Sequence, residues 1–130
     1  GNGQLGNGSI TNSLIPVAVS GLTTATSISA ASSHSCAVLA SGGVQCWGNN
    51  GSGRLGNNST TQSLIPVGVS GLTTATSVSA GSSHSCALLV SGGVADNWVT
   101  KPAAHQRWCP ARYCPAYARW ILTVTAWWAR

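Results

Sequence analysis

The stretch His34-Ser35-Cys36-Ala37-Val38-Leu39-Ala40-Ser41-Gly42-Gly43-Val44-Gln45-Cys46-Trp47-Gly48 decides the fold. Two runs rich in β-formers flank Ser41-Gly42-Gly43, and glycine takes the positive-φ positions that a tight connection between strands requires. The stretch therefore reads as a β-hairpin. With Ser41-Gly42-Gly43 as its loop, Ala40 opposes Val44 and Val38 opposes Cys46. Cys36 then lies diagonal to Cys46 on one face, at about 7–8 Å between Cα atoms, where disulfides favour roughly 4.4–6.8 Å. A disulfide between Cys36 and Cys46 and a pair of buried thiols are both open readings.

The first half of this hairpin recurs as residues 84–94. Aligning residues 1–44 with 51–94 gives 34 identities in 44 positions, far beyond what shared composition produces, so the chain is a tandem repeat. The differences are mild, as in Ile28 to Val78, Val38 to Leu88 and Ala31 to Gly81, and the two copies are expected to share one backbone. A period near fifty lies in the range of propeller blades. The unit opens with an Asn- and Gly-rich loop, residues 51–62, in which Leu55 is the recurring apolar residue. A first strand is expected over 64–69, with Ile65, Val67 and Val69 on one face and Pro66 on the other. Proline cannot donate to a ladder, so this strand belongs at an edge or outside full pairing. Ser70-Gly71-Leu72 turns the chain, residues 77–80 make a second strand, and the hairpin supplies the third and fourth. Four short strands per unit are the content of one blade.

Composition bounds the function classes. Among 130 residues there are six Lys or Arg and one Asp or Glu, yet 43% are apolar, which is the opposite of the charged, apolar-poor signature of disordered chains. Abundant Ser, Thr and Gly fit an all-β chain with many turns. The net charge of +5 is unevenly placed. Residues 1–94 hold Arg54 alone, while Lys101, Arg107, Arg112, Arg119 and Arg130 lie beyond, so the repeats carry no basic surface for nucleic acid. No run approaches the roughly eighteen apolar residues of a membrane span, and no signal-peptide pattern opens the chain. The absence of methionine, together with fewer than two full units where stacking needs about three, leads us to expect a fragment of a longer propeller.

Several stretches invite a chemical reading. Gly51-Ser52-Gly53-Arg54-Leu55-Gly56 and Gly1-Asn2-Gly3-Gln4-Leu5-Gly6 both match the dinucleotide pattern G-x-G-x-x-G. That pattern binds a pyrophosphate only where a strand feeds a helix, with an acid about twenty residues on. Here Asn57-Asn58-Ser59-Thr60-Thr61 follows and residues 1–94 contain no acid, so these glycines read as loop residues and no cofactor is expected. His34 with Cys36, and His84 with Cys86, stand two apart on a strand and share a face, as a metal pair or a Cys-His nucleophile would. Zinc needs four ligands, copies fifty residues apart fall on different blades, and no carboxylate orients either imidazole, so neither a metal site nor a catalytic residue is expected. Cys86 lacks the hairpin partner of its counterpart, because Asp96 stands where Cys46 does.

Two segments carry a family resemblance: Cys46-Trp47-Gly48-Asn49-Asn50-Gly51-Ser52-Gly53-Arg54-Leu55-Gly56-Asn57, and Val78-Ser79-Ala80-Gly81-Ser82-Ser83-His84-Ser85-Cys86-Ala87-Leu88. Together they resemble the regulator of chromosome condensation repeat, over residues 1–94, and its bacterial members most. The resemblance implies closed propellers, commonly of seven blades. It also implies structural roles for His34 and His84, with the ring bonded to backbone at the turn, for Trp47 between blades, and for Leu55 and Gly56 in the loop. Repeat one departs at Ala31, where the family has Gly. Repeat two departs after Val94, where Ala95-Asp96-Asn97-Trp98 replaces the expected Gln-Cys-Trp-Gly.

Residues 95–130 share nothing with the repeats. Ala, Arg, Trp and Pro make up 20 of these 36 residues, and five of the six Trp lie here. A basic aromatic segment for nucleic acid or anionic membrane, and a zinc site from His105, Cys109 and Cys114, are two readings of them. The abrupt loss of identity at Val94 favours a third, translation out of frame, with strand-like alternation over 121–128. The expected architecture is an incomplete β-propeller of about two four-stranded blades plus this divergent tail. The expected function is that of a non-enzymatic scaffold for a protein partner. The alternative implied by the resemblance is guanine-nucleotide exchange on a Ran-type small GTPase. An extracellular or cell-surface location is the expectation for the compartment.

Overall fold

The structure, a computed structural model, describes residues 1–96, and the readings of residues 97–130 lie outside them. The described residues form β1 (Ala25–Ala30), β2 (His34–Leu39), β3 (Val44–Gly48), β4 (Ser63–Gly68), β5 (Ala75–Ala80), β6 (Ser85–Leu89) and β7 (Val94–Asp96), with no helix among them. They make two antiparallel sheets, one in the order β1-β2-β3-β4 and one in the order β5-β6-β7. This is the all-β, blade-by-blade architecture that the fifty-residue period implies.

The blades are out of phase with the repeats. Sequence comparison assigns residues 64–69 to the start of the second unit, but the strand they form, β4, closes the first sheet against β3. A period fixes spacing and leaves open which strand of one unit pairs with the next. As its proline requires, β4 lies at the sheet edge. Pro66 falls in the irregularity where Cys46 pairs with Val67 but Gly48 already pairs with Ser63.

The first hairpin also differs from its expected register. Val38 opposes Val44 and Cys36 directly opposes Cys46. The loop is Ala40-Ser41-Gly42, one residue earlier than read, closed by Leu39 N–H to the Gly43 carbonyl at 2.9 Å. Gly42 has φ +86°, so it supplies the left-handed third position of a three-residue loop and leaves Gly43 to the strand. A side chain at 42 would also collide with the Thr73 carbonyl.

The core lies between the sheets. Cys36, Val38, Val44 and Cys46 from the first hairpin pack with Leu55, Val69, Ala75, Val78 and Ala87. Burying each of the larger aliphatic side chains is worth about 1.5–3 kcal/mol, so the contact of one blade with the next is the main apolar contribution. Neither sheet could bury these groups alone.

Candidate functional site

His34 opens β2, a strand whose first five residues are all buried, and its ring crosses the seam to the second sheet. Its Nε2 stands 2.8 Å from Ser85 Oγ at the start of β6. Ser85 Oγ donates its one proton to the Arg54 carbonyl at 3.1 Å, so toward His34 it accepts, and the imidazole carries its proton on Nε2. Nδ1 has no hydrogen-bond partner among the described residues. Burial first, and then unfavourable Coulombic interaction with Arg54 and His84, hold the imidazole neutral, with a pKa lowered to about 4. The ring thus bonds the next blade, not backbone at its own turn as the resemblance implies.

Arg54, the one charged side chain of the repeats, ties both blades together. Its Nη1 donates to Ser33 Oγ at 2.6 Å in the turn before β2 and to the Ser82 carbonyl at 2.8 Å in the matching turn before β6. Gln4 occupies the same place one unit earlier and donates to the Ser32 carbonyl at 3.1 Å, within its own blade. Ser29 Oγ accepts from Ala80 N–H at 3.0 Å, and the Gly42 carbonyl accepts from Ala75 N–H at 2.9 Å, so polar bonds run along the seam.

The Asn- and Gly-rich loop is organised by Asn50, which is fully buried. Its amide nitrogen donates to Asn57 Oδ1, the Ser59 carbonyl and the Thr61 carbonyl at 2.9–3.1 Å, and its Oδ1 accepts from Leu55 N–H at 3.0 Å. These bonds hold Leu55 in the core. Gly53 and Gly56, like Gly3 and Gly6, have φ between +63° and +74° and close tight turns, with Gly56 N–H on the Gly53 carbonyl. Trp47 is buried against the first loop: its Nε1 donates to the Gln4 carbonyl at 2.8 Å, and a Cβ on Gly6 would stand 2.6 Å from that nitrogen. Its contact is with a loop, where an inter-blade position was expected.

Cys36 and Cys46 are joined by a disulfide with Cα atoms 4.0 Å apart, buried within the first blade. Their pair is a non-hydrogen-bonded one, because Leu39 and Gly43 form a bonded pair and the two kinds alternate. Cys86 faces Asp96 across the second hairpin, and its sulfur is also disulfide-bonded. His84 lies over Gly81, where a Cβ would stand 2.6 Å from its ring; Ala31 denies His34 the same place. Sequence reading missed Arg54 and Asn50. The signal for Arg54 was its solitude within residues 1–94, which hold no acid to pair it.

The family model for the Regulator of chromosome condensation (RCC1) repeat matches residues 1–38 and 41–88, and a second model of the repeat matches residues 25–54. No curated protein matches the chain. Among solved structures, Prp20p from Saccharomyces cerevisiae, described with its binding properties to Gsp1p and histones, superposes with a TM-score of 0.60 at 21% identity. That match covers 73% of this chain and 26% of Prp20p. Yeast RCC1 (Prp20) bound to Kap60 matches with a TM-score of 0.48 at 22% identity, over 53% of this chain and 16% of that one. At such identity the Prp20p likeness concerns the fold. The family match covers both repeats, and the chain belongs to the Regulator of chromosome condensation (RCC1) repeat family.

Proposed function

We propose that the chain is part of a propeller that acts as a protein-interaction scaffold and performs no chemistry of its own. One observation carries this reading: His34, Ser85 and Arg54, the chemistry-bearing side chains of the seam, join one blade to the next. His34 and Ser85 are 0% and 1% exposed, so no substrate atom approaches them. Exposed residues of the 51–62 loop, Thr60, Thr61 and Gln62 among them, are polar and uncharged and present the binding face. The disulfide of Cys36 with Cys46 supports an oxidising compartment, outside the cell or at its surface.

A second reading, nucleotide exchange on a Ran-type GTPase, draws on the description of Prp20p as binding Gsp1p. Release of a fluorescent guanine nucleotide from such a GTPase separates the two. A scaffold leaves the rate unchanged at stoichiometric amounts, whereas an acceleration of tenfold or more supports the second reading. The scaffold reading is tested by comparing proteins retained by the wild-type chain with those retained by Thr60→Arg and Gln62→Arg. Selective loss of retained proteins, with unchanged circular dichroism, is expected. An unchanged retained set overturns the loop-mediated interface.

A further inference from the structure

The pattern Asn-x-Ser/Thr, the acceptor signal for an N-linked glycan on a surface loop of an exported protein, occurs at Asn7, Asn50, Asn57 and Asn58. The fold treats these asparagines differently. Asn50 is fully buried, and its amide nitrogen is committed to three acceptors inside the loop. Asn7 and Asn57 are half-buried, and the hydroxyls on which their signals depend are held in turns. Ser9 Oγ accepts from Thr11 N–H at 3.0 Å, and Ser59 Oγ accepts from Thr61 N–H at 2.9 Å. Asn58 and its signal residue Thr60 are both exposed.

We infer that Asn58 is the acceptor of an N-linked glycan. The inference rests on the reading that places the chain in an oxidising compartment, and not on the scaffold reading. The two copies of the loop show that neither neighbouring blade covers this position. In the second copy the first sheet, from which the loop springs, is in place, and Asn58 is exposed beside it. In the first copy the strand on the other side, β4, is in place. There Gly8, the counterpart of Asn58, donates its N–H to the Leu64 carbonyl at 3.0 Å and has φ of +81°, close to the +59° of Asn58. A Cβ built on Gly8 nevertheless meets no atom closer than Ile65 Cγ2 at 3.9 Å. A side chain at this position therefore leaves the surface with a blade on either side.

The amide chemistry of Asn58 is compatible with attachment. Its Nδ2 donates to Ser70 Oγ, itself exposed, at 3.0 Å, which occupies one of the two amide protons. Attachment takes the other. Nδ2 attacks the anomeric carbon of a sugar carried on a lipid diphosphate, and the N–C bond forms as the C–O bond to the diphosphate breaks. The diphosphate leaves with the electron pair, and the amide proton passes to a base of the transferase. The secondary amide that results keeps one N–H for Ser70 Oγ, so the bond between the loop and the segment after β4 survives. At Asn50 the same reaction would leave one proton for three buried acceptors and put a bulky group in the core.

The test directs the whole 130-residue chain into the secretory pathway of cultured eukaryotic cells, which supplies the glycan donor whatever the chain's own compartment. A glycan-releasing amidase in heavy-oxygen water converts each occupied asparagine to labelled aspartate, and fragment-ion sequencing reads the position. Label is expected at position 58 and not at position 50. Thr60→Val removes the signal of Asn58 and leaves that of Asn57, and it is expected to lower label at position 58 at least tenfold. Ser59→Ala does the converse and is expected to leave that label within twofold of wild type. Circular dichroism of each variant is expected to match wild type, since both changes lie at the loop surface. An exported chain without label at position 58 overturns the inference. So does label at Asn50 or Asn57 in its place, or label at position 58 that survives Thr60→Val. The state of Cys36 and Cys46 in the same material judges the compartment reading separately: a pair that stays reduced after export counts against that reading, while the label still decides the acceptor.

Discussion

Residues 13–18 and 63–68 differ only in Ala18 against Gly68, and they share even their local side-chain bond. Ser13 Oγ donates to the Ile15 carbonyl and Ser63 Oγ to the Ile65 carbonyl, both at 2.6 Å. One segment is a strand and the other is not. What separates them is β3, which stands beside the second and has no counterpart beside the first among the described residues. Strand formation here is a property of the neighbour and not of local propensity, which holds generally for sheets, where preferences follow cross-strand packing. The loops repeat the lesson: Leu55 is fully buried between two blades, while its counterpart Leu5 is 37% exposed.

The sharpest way to break this comparison is to truncate the two leucines. Leu55→Ala removes a buried side chain from the inter-blade core and is expected to cost about 3 kcal/mol, whereas Leu5→Ala should cost under ~1 kcal/mol. Urea unfolding followed by far-ultraviolet circular dichroism measures both. Equal costs would mean that both loops are packed alike and that position in the stack has no influence.

Next comes proline in the two strand copies. Val67→Pro removes the N–H that pairs with Cys46 and leaves a buried acceptor, at an expected cost of about 2 kcal/mol, while Val17→Pro in dilute chain changes stability by under ~0.5 kcal/mol. The same urea titrations decide it. A comparable loss at Val17 would show that residues 13–18 are already paired within the single chain.

The seam itself should report on pH through His34. Its folded pKa of about 4 lies below the ordinary 6.5, so between these values the unfolded chain binds a proton that the folded chain does not. Stability is therefore complete above about pH 6.5 and falls as pH drops toward 4, by at most about 1.4 kcal/mol per pH unit. His34→Gln is expected to flatten that slope. An unchanged slope in the variant would place the titrating group elsewhere and detach His34 from the seam's electrostatics.

How far these features were legible depends on what kind of information a repeat carries. The hairpins, the loop glycines and the all-β class followed from Gly placement and the fifty-residue period. The phase of the blades did not, because β4 looks the same whether it opens its own sheet or closes the preceding one. The hairpin register slipped by one loop residue because Gly42 and Gly43 are both able to take positive φ, and only Gly42 does. Asn50 was hidden beside Asn49: one amide caps the exposed Gly51 N–H, the other is buried with four bonds, and their shared residue type gives no sign of which is which. Arg54 escaped notice because its partners are serine hydroxyls and carbonyls brought together only by stacking.

The smallest expected effect tests whether the two loops share a backbone even though their surroundings differ. Gly8 and Asn58 are counterparts, with φ of +81° and +59°, and Asn58 is the one non-glycine residue with positive φ among the described residues. Asparagine tolerates this region better than other L-residues, and here Nδ2 also donates to Ser70 Oγ at 3.0 Å. Asn58→Ala loses both advantages and is expected to cost about 1 kcal/mol. Gly8→Asn meets no closer atom than Ile65 Cγ2 at 3.9 Å, so it is expected to be neutral within ~0.5 kcal/mol, as is Asn58→Gly. Urea midpoints of the three variants check this. If Gly8→Asn cost more than ~1 kcal/mol while Asn58→Gly remained neutral, the first loop would differ from the second in backbone as well as in burial. The contrast between the copies would then begin in the loop, before the strand that follows it.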